Sequence, residues 1–469
     1  MYGISFRDEG LSMAARQIVL LVFVLSFLFV GCGGGSGGST DPTQDPGGGA
    51  AVASPDGIGG GGSTVSITAT GAVRIGGTNA PTLTAPTNPT IPGTGYILPL
   101  GGMDFSQLPT EAPPGIVVSE PSALRITTNF IIPAGASLDI DLPGYTLRVD
   151  GDLVVAGTLA SNTASGGGVP INVQVAGNIF ITGTVDNSRA LAGTSGETIT
   201  LQGTNIYISG GTVTSSGNDG SGGSGGSGAA ITLTAGNDIH LLGATVEAAG
   251  GSAGGAGNGG TGSSITATGV RLLANNSTQV IAAGGDGVSA GGVGGIVSFI
   301  LSQLISLPGS VDVAGGSATG SSSTGGASGT LSLNAPELQV TATISLDGGN
   351  GWQSGGAGGA FQAFYQNASR LTPLLSLDGG TATGSSGATQ GGLGGTVTVT
   401  QAAGAADLDI FASPFELSLN GGAGQATGGL GGSFTVVSAS TVDLAGRLYI
   451  TGGTATNTPG TGGTVSITG

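Results

Sequence analysis

Two carboxylates, one tryptophan, one histidine and one cysteine are the residues of this chain whose setting could support chemistry. Asp347 and Asp378 occupy matching segments, Ile344-Ser-Leu-Asp-Gly-Gly and Leu375-Ser-Leu-Asp-Gly-Gly, and Asn420 holds the same place in Leu417-Ser-Leu-Asn-Gly-Gly. If such segments stack, the two carboxylates come within about 5 Å at Cα, the spacing of neighbouring strands. Like charges that close raise one pKa or recruit a cation such as calcium. Clustered acids also suit cleavage of a polysaccharide. The plainer reading is a turn-former before Gly-Gly whose side chain bonds local backbone. That reading is preferred, with calcium second and a glycosidase third. The nonapeptide calcium repeat does not recur.

Trp352 lies in the glycine-rich stretch Gly351-Trp-Gln-Ser-Gly. A ring there either folds back as cover or stacks on a sugar. Cover is preferred, although Phe364 and Tyr365 follow closely enough for a small aromatic patch. His240 is the only histidine, and it stands between Ile239 and Leu241. Strand alternation turns it outward, as a surface residue. A catalytic triad needs a histidine beside a nucleophile and an orienting acid, and the surface reading of this single histidine is preferred to a catalytic one. Zinc sites of Cys and His are excluded by count. The glycine runs are not phosphate loops, because the chain has no Lys and no helix follows any run. The expectation is therefore a non-enzyme without a cofactor.

The elements that carry these residues repeat. Eight strand-like pieces start at Ile231, Ile265, Val297, Leu331, Phe361, Val397, Phe434 and Val465, about 33 residues apart. A second signature, two alternate apolar residues and then Gly-Gly, begins at Val246, Val280, Val311, Ile344, Leu375, Leu417 and Leu448. A fixed period of this size means stacked coils. The unit from Ile231 to Gly262 holds three short strands and one glycine loop. This is the plan of an all-β parallel β-helix of about ten coils, roughly 50 Å long. Inward aliphatics should file into columns, with the glycine loops leaving at one corner as a thin flap, extended in the manner of polyproline II. No cap is visible after Val465-Ser-Ile-Thr, so that end reads as blunt and open to stacking on another molecule, or equally as a truncated last coil.

Composition agrees. Of 469 residues, 100 are Gly, and only 7% are charged. A globular enzyme carries about a quarter charged residues. Glycine raises the entropy cost of folding, so each coil needs its neighbours as templates. The formal net charge of -17 repels phosphate backbones, which argues against nucleic-acid partners. The outward row Thr232, Thr266, Ser298 and Ser332 starts like an ice-binding plane. Its partner row is broken by Ile300, Phe364 and Val437, so that function is set aside.

Four regions are expected: a signal peptide over 1–31, a tether over 32–62, a Pro-rich arm over 63–121 and the β-helix over 122–469. Arg16 precedes an apolar stretch from Ile18 to Val30, too short to span a bilayer but right for a signal-peptide core. Met13-Ala-Ala-Arg-Gln makes a more usual n-region than the residues before it, which makes Met13 an alternative start. Leu28-Phe29-Val30-Gly31-Cys32 contains the only cysteine and resembles the lipobox of bacterial lipoproteins. It departs in placing Phe29 where that family favours Leu. The resemblance implies cleavage before Cys32, acylation of that residue and anchoring to a membrane. Gly33 stands where an Asp would signal inner-membrane retention, which implies the outer membrane. The Gly, Ser, Pro and Thr residues that follow reach roughly 30 Å as a flexible tether. Val65 to Ile75 reads as two short strands around Gly71, and nine prolines fall from Pro81 to Pro121. The arm reads either as an extended segment lying against the first coils or as simple disorder, and the sequence does not separate the two. The strand repeats resemble the β-helix passengers and adhesins of bacterial envelopes. That resemblance implies a structural or adhesive envelope role, with surface polysaccharide or another envelope protein as partner.

Overall fold

A computed structural model describes residues 122–140, 142–161, 168–367 and most of 370–468, together with 64–68, 73–75, 90–98, 101–104 and 117–120. The described elements are all strands, and they form a parallel β-solenoid. Each turn contributes to three ladders. The first ladder climbs from 123–126 to 464–468 through eleven parallel pairings. At about 4.8 Å per step this is a rod of about 53 Å. All eight predicted strand starts fall in this ladder and in register, from Ile231 opposite Ile265 to Phe434 opposite Val465. The predicted Val246 series forms the third ladder, also in register.

Alternation explains the strands. In Ile231–Ala235 the side chains of Ile231, Leu233 and Ala235 are buried, while Thr232 and Thr234 are partly exposed. β-branched residues suit such a half-buried, pleated surface. One continuous core runs the length of the rod. One inward row reads Ile231, Ile265, Val297, Leu331, Phe361, Val397, Phe434 and Val465. The row beside it is less uniform. Ala267 lies in register with Phe299, and Leu333 with Ala363. Large and small side chains thus alternate where a uniform column would overfill the interior.

The glycine loops are ordered by hydrogen bonds. Each loop runs out and back as two glycine segments. Gly260 N donates to Gly251 O within one loop, and Gly285 N donates to Gly260 O across to the next. The pattern continues through Gly292, Gly316, Gly326, Gly349, Gly356, Gly380, Gly392, Gly422, Gly429, Gly453 and Gly460, with every N···O distance between 2.8 and 2.9 Å. The spacing allows no side chain. A Cβ on Gly292 would sit 1.8 Å from Gly260 O, and one on Gly326 would sit 1.9 Å from Gly292 O. Loop tips also pair between turns, as Asn258 with Ala290 and Ala290 with Thr324.

Both ends of the first ladder are covered. Strand 117–120 pairs antiparallel with 123–126, turning through Ser122 at φ 61°. Strands 96–97 and 101–104 extend the other two ladders at the same end. That much of the arm lies on the first coils, as the extended reading has it. The expected pair around Gly71 forms as 64–68 and 73–75, but at the opposite end. Thr64–Thr68 pairs with Thr464–Thr468, and Val73–Ile75 with Val442–Leu444. The end read as blunt therefore carries a cap, drawn from a segment some 400 residues away in the sequence.

Candidate functional site

The stack brings Asp347 and Asp378 together as neighbours in adjacent turns, but it uses them as connectors. Asp347 Oδ1 accepts from Asp378 N at 2.7 Å and from Ser376 Oγ at 2.6 Å. Asp378 Oδ1 accepts from Asn420 N at 2.6 Å and from Ser418 Oγ at 2.7 Å. Asn420 Oδ1 then accepts from Thr451 N at 2.9 Å. Each side chain reaches forward to the same position in the next coil. The expected bonding to local backbone is thus replaced by bonding across turns, because stacking sets the next coil's N–H beside the carboxylate. Two further columns follow the same rule. Asn129, Asp152 and Asn205 accept from the N–H groups of Asp152, Asn178 and Asp238. Asp219 and Asp286 do so for Ser252 and Ser317 at the glycine corner. Among the described residues no group of three or more His, Cys, Asp or Glu is placed to hold a metal ion.

Burial pushes the Asp378 carboxyl above the ordinary range, partly offset by hydrogen bonds from Ser418 and Asn420. Burial raises Asp312 in the same way. A carboxyl raised in the fold binds its proton more readily than in the unfolded chain. Its contribution favours the fold below the ordinary carboxylate value and is lost as pH rises through the folded value. Asp378→Asn keeps an acceptor for Asn420 N and removes the charge. The melting temperature at pH 7 should hold or rise, and its gain between pH 7 and pH 4 should shrink; differential scanning calorimetry reads both. Asp378→Ala should instead cost about 1–3 kcal/mol, because Asn420 N–H loses its partner.

Trp352 is partly buried, and its backbone N–H donates to Ser323 Oγ at 3.0 Å. Its indole leaves no room at Gly384, where a Cβ would lie 2.7 Å from Nε1. It covers the loop stack. Phe364 is 40% exposed on the outer face, whereas Tyr365 is 2% exposed in the core. Alternation separates them, so the three rings form no common patch. His240 does face outward, but Tyr207 packs against it at 4.6 Å between centroids, and Phe180 stacks on Tyr207. Burial lowers its pKa. Cys32 lies outside the described residues.

One concave site has no counterpart among the residues singled out in the sequence. The outward row of the first ladder begins Arg125, Arg148, Gln174, Gln202, Thr234 in strict register. These five side chains line an open groove of about 670 Å³ running along the rod. Asp150 also lines it and pairs with Arg125 at 2.9 Å. Polar groups repeat every turn, at about 4.8 Å. Further along, the same row exposes Ile300, Phe364 and Val437 on alternate turns, each at least 40% exposed. The signal was present in Leu124-Arg-Ile-Thr and Thr146-Leu-Arg-Val, whose arginines align only once the register is known.

No family model, curated protein or solved structure matches this chain.

Proposed function

We propose that this chain is a lipid-anchored protein of the cell envelope whose solenoid is a rigid, non-catalytic rod serving surface structure or adhesion. The observation that carries the non-catalytic part is the use of Asp347 and Asp378. Their oxygens are engaged by the next coil's backbone and hydroxyls, so neither is set as a free acid or base. Anchoring rests on the lipobox-like Leu28–Cys32 and the tether behind it. The acyl chains on Cys32 would hold the rod at the membrane, with the outer membrane as the compartment favoured by Gly33. Mass spectrometry of the mature N-terminus should find acylated Cys32, and Cys32→Ser should release the protein from membranes. An unmodified Cys32, or a protein still membrane-bound after the substitution, overturns the anchoring.

A second reading is favoured by the groove. Arg125, Arg148, Gln174 and Gln202 offer a row of donors suited to an anionic envelope polysaccharide. A panel of acidic and neutral polysaccharides separates the two readings. Retention of an acidic polymer that weakens several-fold in Arg148→Ala supports binding. Cleavage that vanishes in Asp378→Ala while the fold survives would sink the non-catalytic reading.

A further inference from the structure

We propose that the far edge of the solenoid is a strand-addition site, and that the chain's own residues 64–75 are the ligand it takes. The pairing is complete at both strands. All five residues of Thr64–Thr68 lie in parallel register with Thr464–Thr468, and all three of Val73–Ile75 with Val442–Leu444. The two five-residue strands have the same sequence, Thr-Val-Ser-Ile-Thr. Like therefore faces like, as in the turns below. An edge strand offers a row of unpaired N–H and C=O groups, and main-chain bonds to an added strand supply affinity while alternate side chains supply specificity.

The chain is long enough to serve its own edge. Ile75 and Tyr96 both lie on the second ladder, at opposite ends, separated by twelve pairings. Twelve steps span about 58 Å. The 20 residues from 76 to 95 reach about 66–70 Å when extended. A flexible coil of that length would span only about 25 Å, but Pro81, Pro86, Pro89 and Pro92 favour extended backbone. The reach therefore permits the chain's own strand to fill the edge, which is the pairing seen at Thr64–Thr68 and Val73–Ile75.

The test uses the full chain with Cys32→Ser, so that introduced thiols are the only ones. In-register parallel neighbours about 4.8 Å apart at Cα can be bridged by a disulfide. Oxidised Ser66→Cys/Ser466→Cys should run as a faster-moving monomer on a non-reducing gel. Ser66→Cys/Ser332→Cys, whose second thiol lies on the same row at mid-rod, should stay reduced. In a chain lacking 64–75, a labelled peptide of those residues should bind saturably by fluorescence anisotropy, while the intact chain and a scrambled peptide should show no binding. Disulfide-linked multimers would assign the site to a second copy and overturn the proposal. So would thiols left unbonded in the Ser66→Cys/Ser466→Cys variant, a bond formed in the Ser66→Cys/Ser332→Cys variant, or a truncated chain that ignores the peptide.

Discussion

Gly292→Ala is expected to destabilise the rod by about 3–5 kcal/mol, the range of severe single-site lesions. The added Cβ would lie 1.8 Å from Gly260 O, and backbone rather than a yielding side chain is what it meets. Gly292 N donates to Gly285 O, and Gly292 O accepts from Gly316 N. Relief of the clash must therefore open one bond within the loop and one to the next loop. The matched control is Gly222→Ala, where nothing lies within 4 Å of the new atom. Thermal unfolding should show a clear drop for the first variant and a change within about 0.5 kcal/mol for the second. Limited proteolysis should cut the first near the altered loop. Equal melting temperatures would mean that the loops are not held by their glycine contacts.

Phe299→Ala should have an effect of similar size, about 3–5 kcal/mol. Phe299 is 1% exposed and stands in register between Ala267 and Leu333. Truncation leaves two adjacent alanines and a void that stiff, hydrogen-bonded coils cannot collapse to fill. Ala267→Phe alone should also destabilise, by overfilling the site beside an intact Phe299. The double variant restores total volume and should recover part of the loss. Urea titration of the four proteins gives the coupling energy, and simple additivity would show that the two positions do not share one space.

Much of this architecture was legible because its signals are local and repeated. Aliphatics at alternate positions, a glycine run and a Gly-Gly stop recur in each unit, and their phase fixed the register from Ile231 to Val465. The purpose of Asp347 and Asp378 was not legible. A side chain that bonds 31 residues ahead resembles a turn-former until the stacking partner is known. The groove was hidden for a related reason, since Arg125 and Arg148 sit 23 residues apart, in shorter turns than those that set the period. The cap was the hardest feature. Its pairing joins the two most distant parts of the fold, and only the duplicated Thr-Val-Ser-Ile-Thr marked it.

That cap also decides which way up the molecule would stand. In sequence, residues 33–63 join Cys32 to Thr64, and Thr64 pairs with Thr464 at the far end of the rod. A protein held by its lipid would therefore keep its latest turns beside the bilayer. The turns that carry Arg125 and Arg148 would face outward, roughly 50 Å further from the lipid headgroups, where a polymer or a neighbouring surface would meet them first.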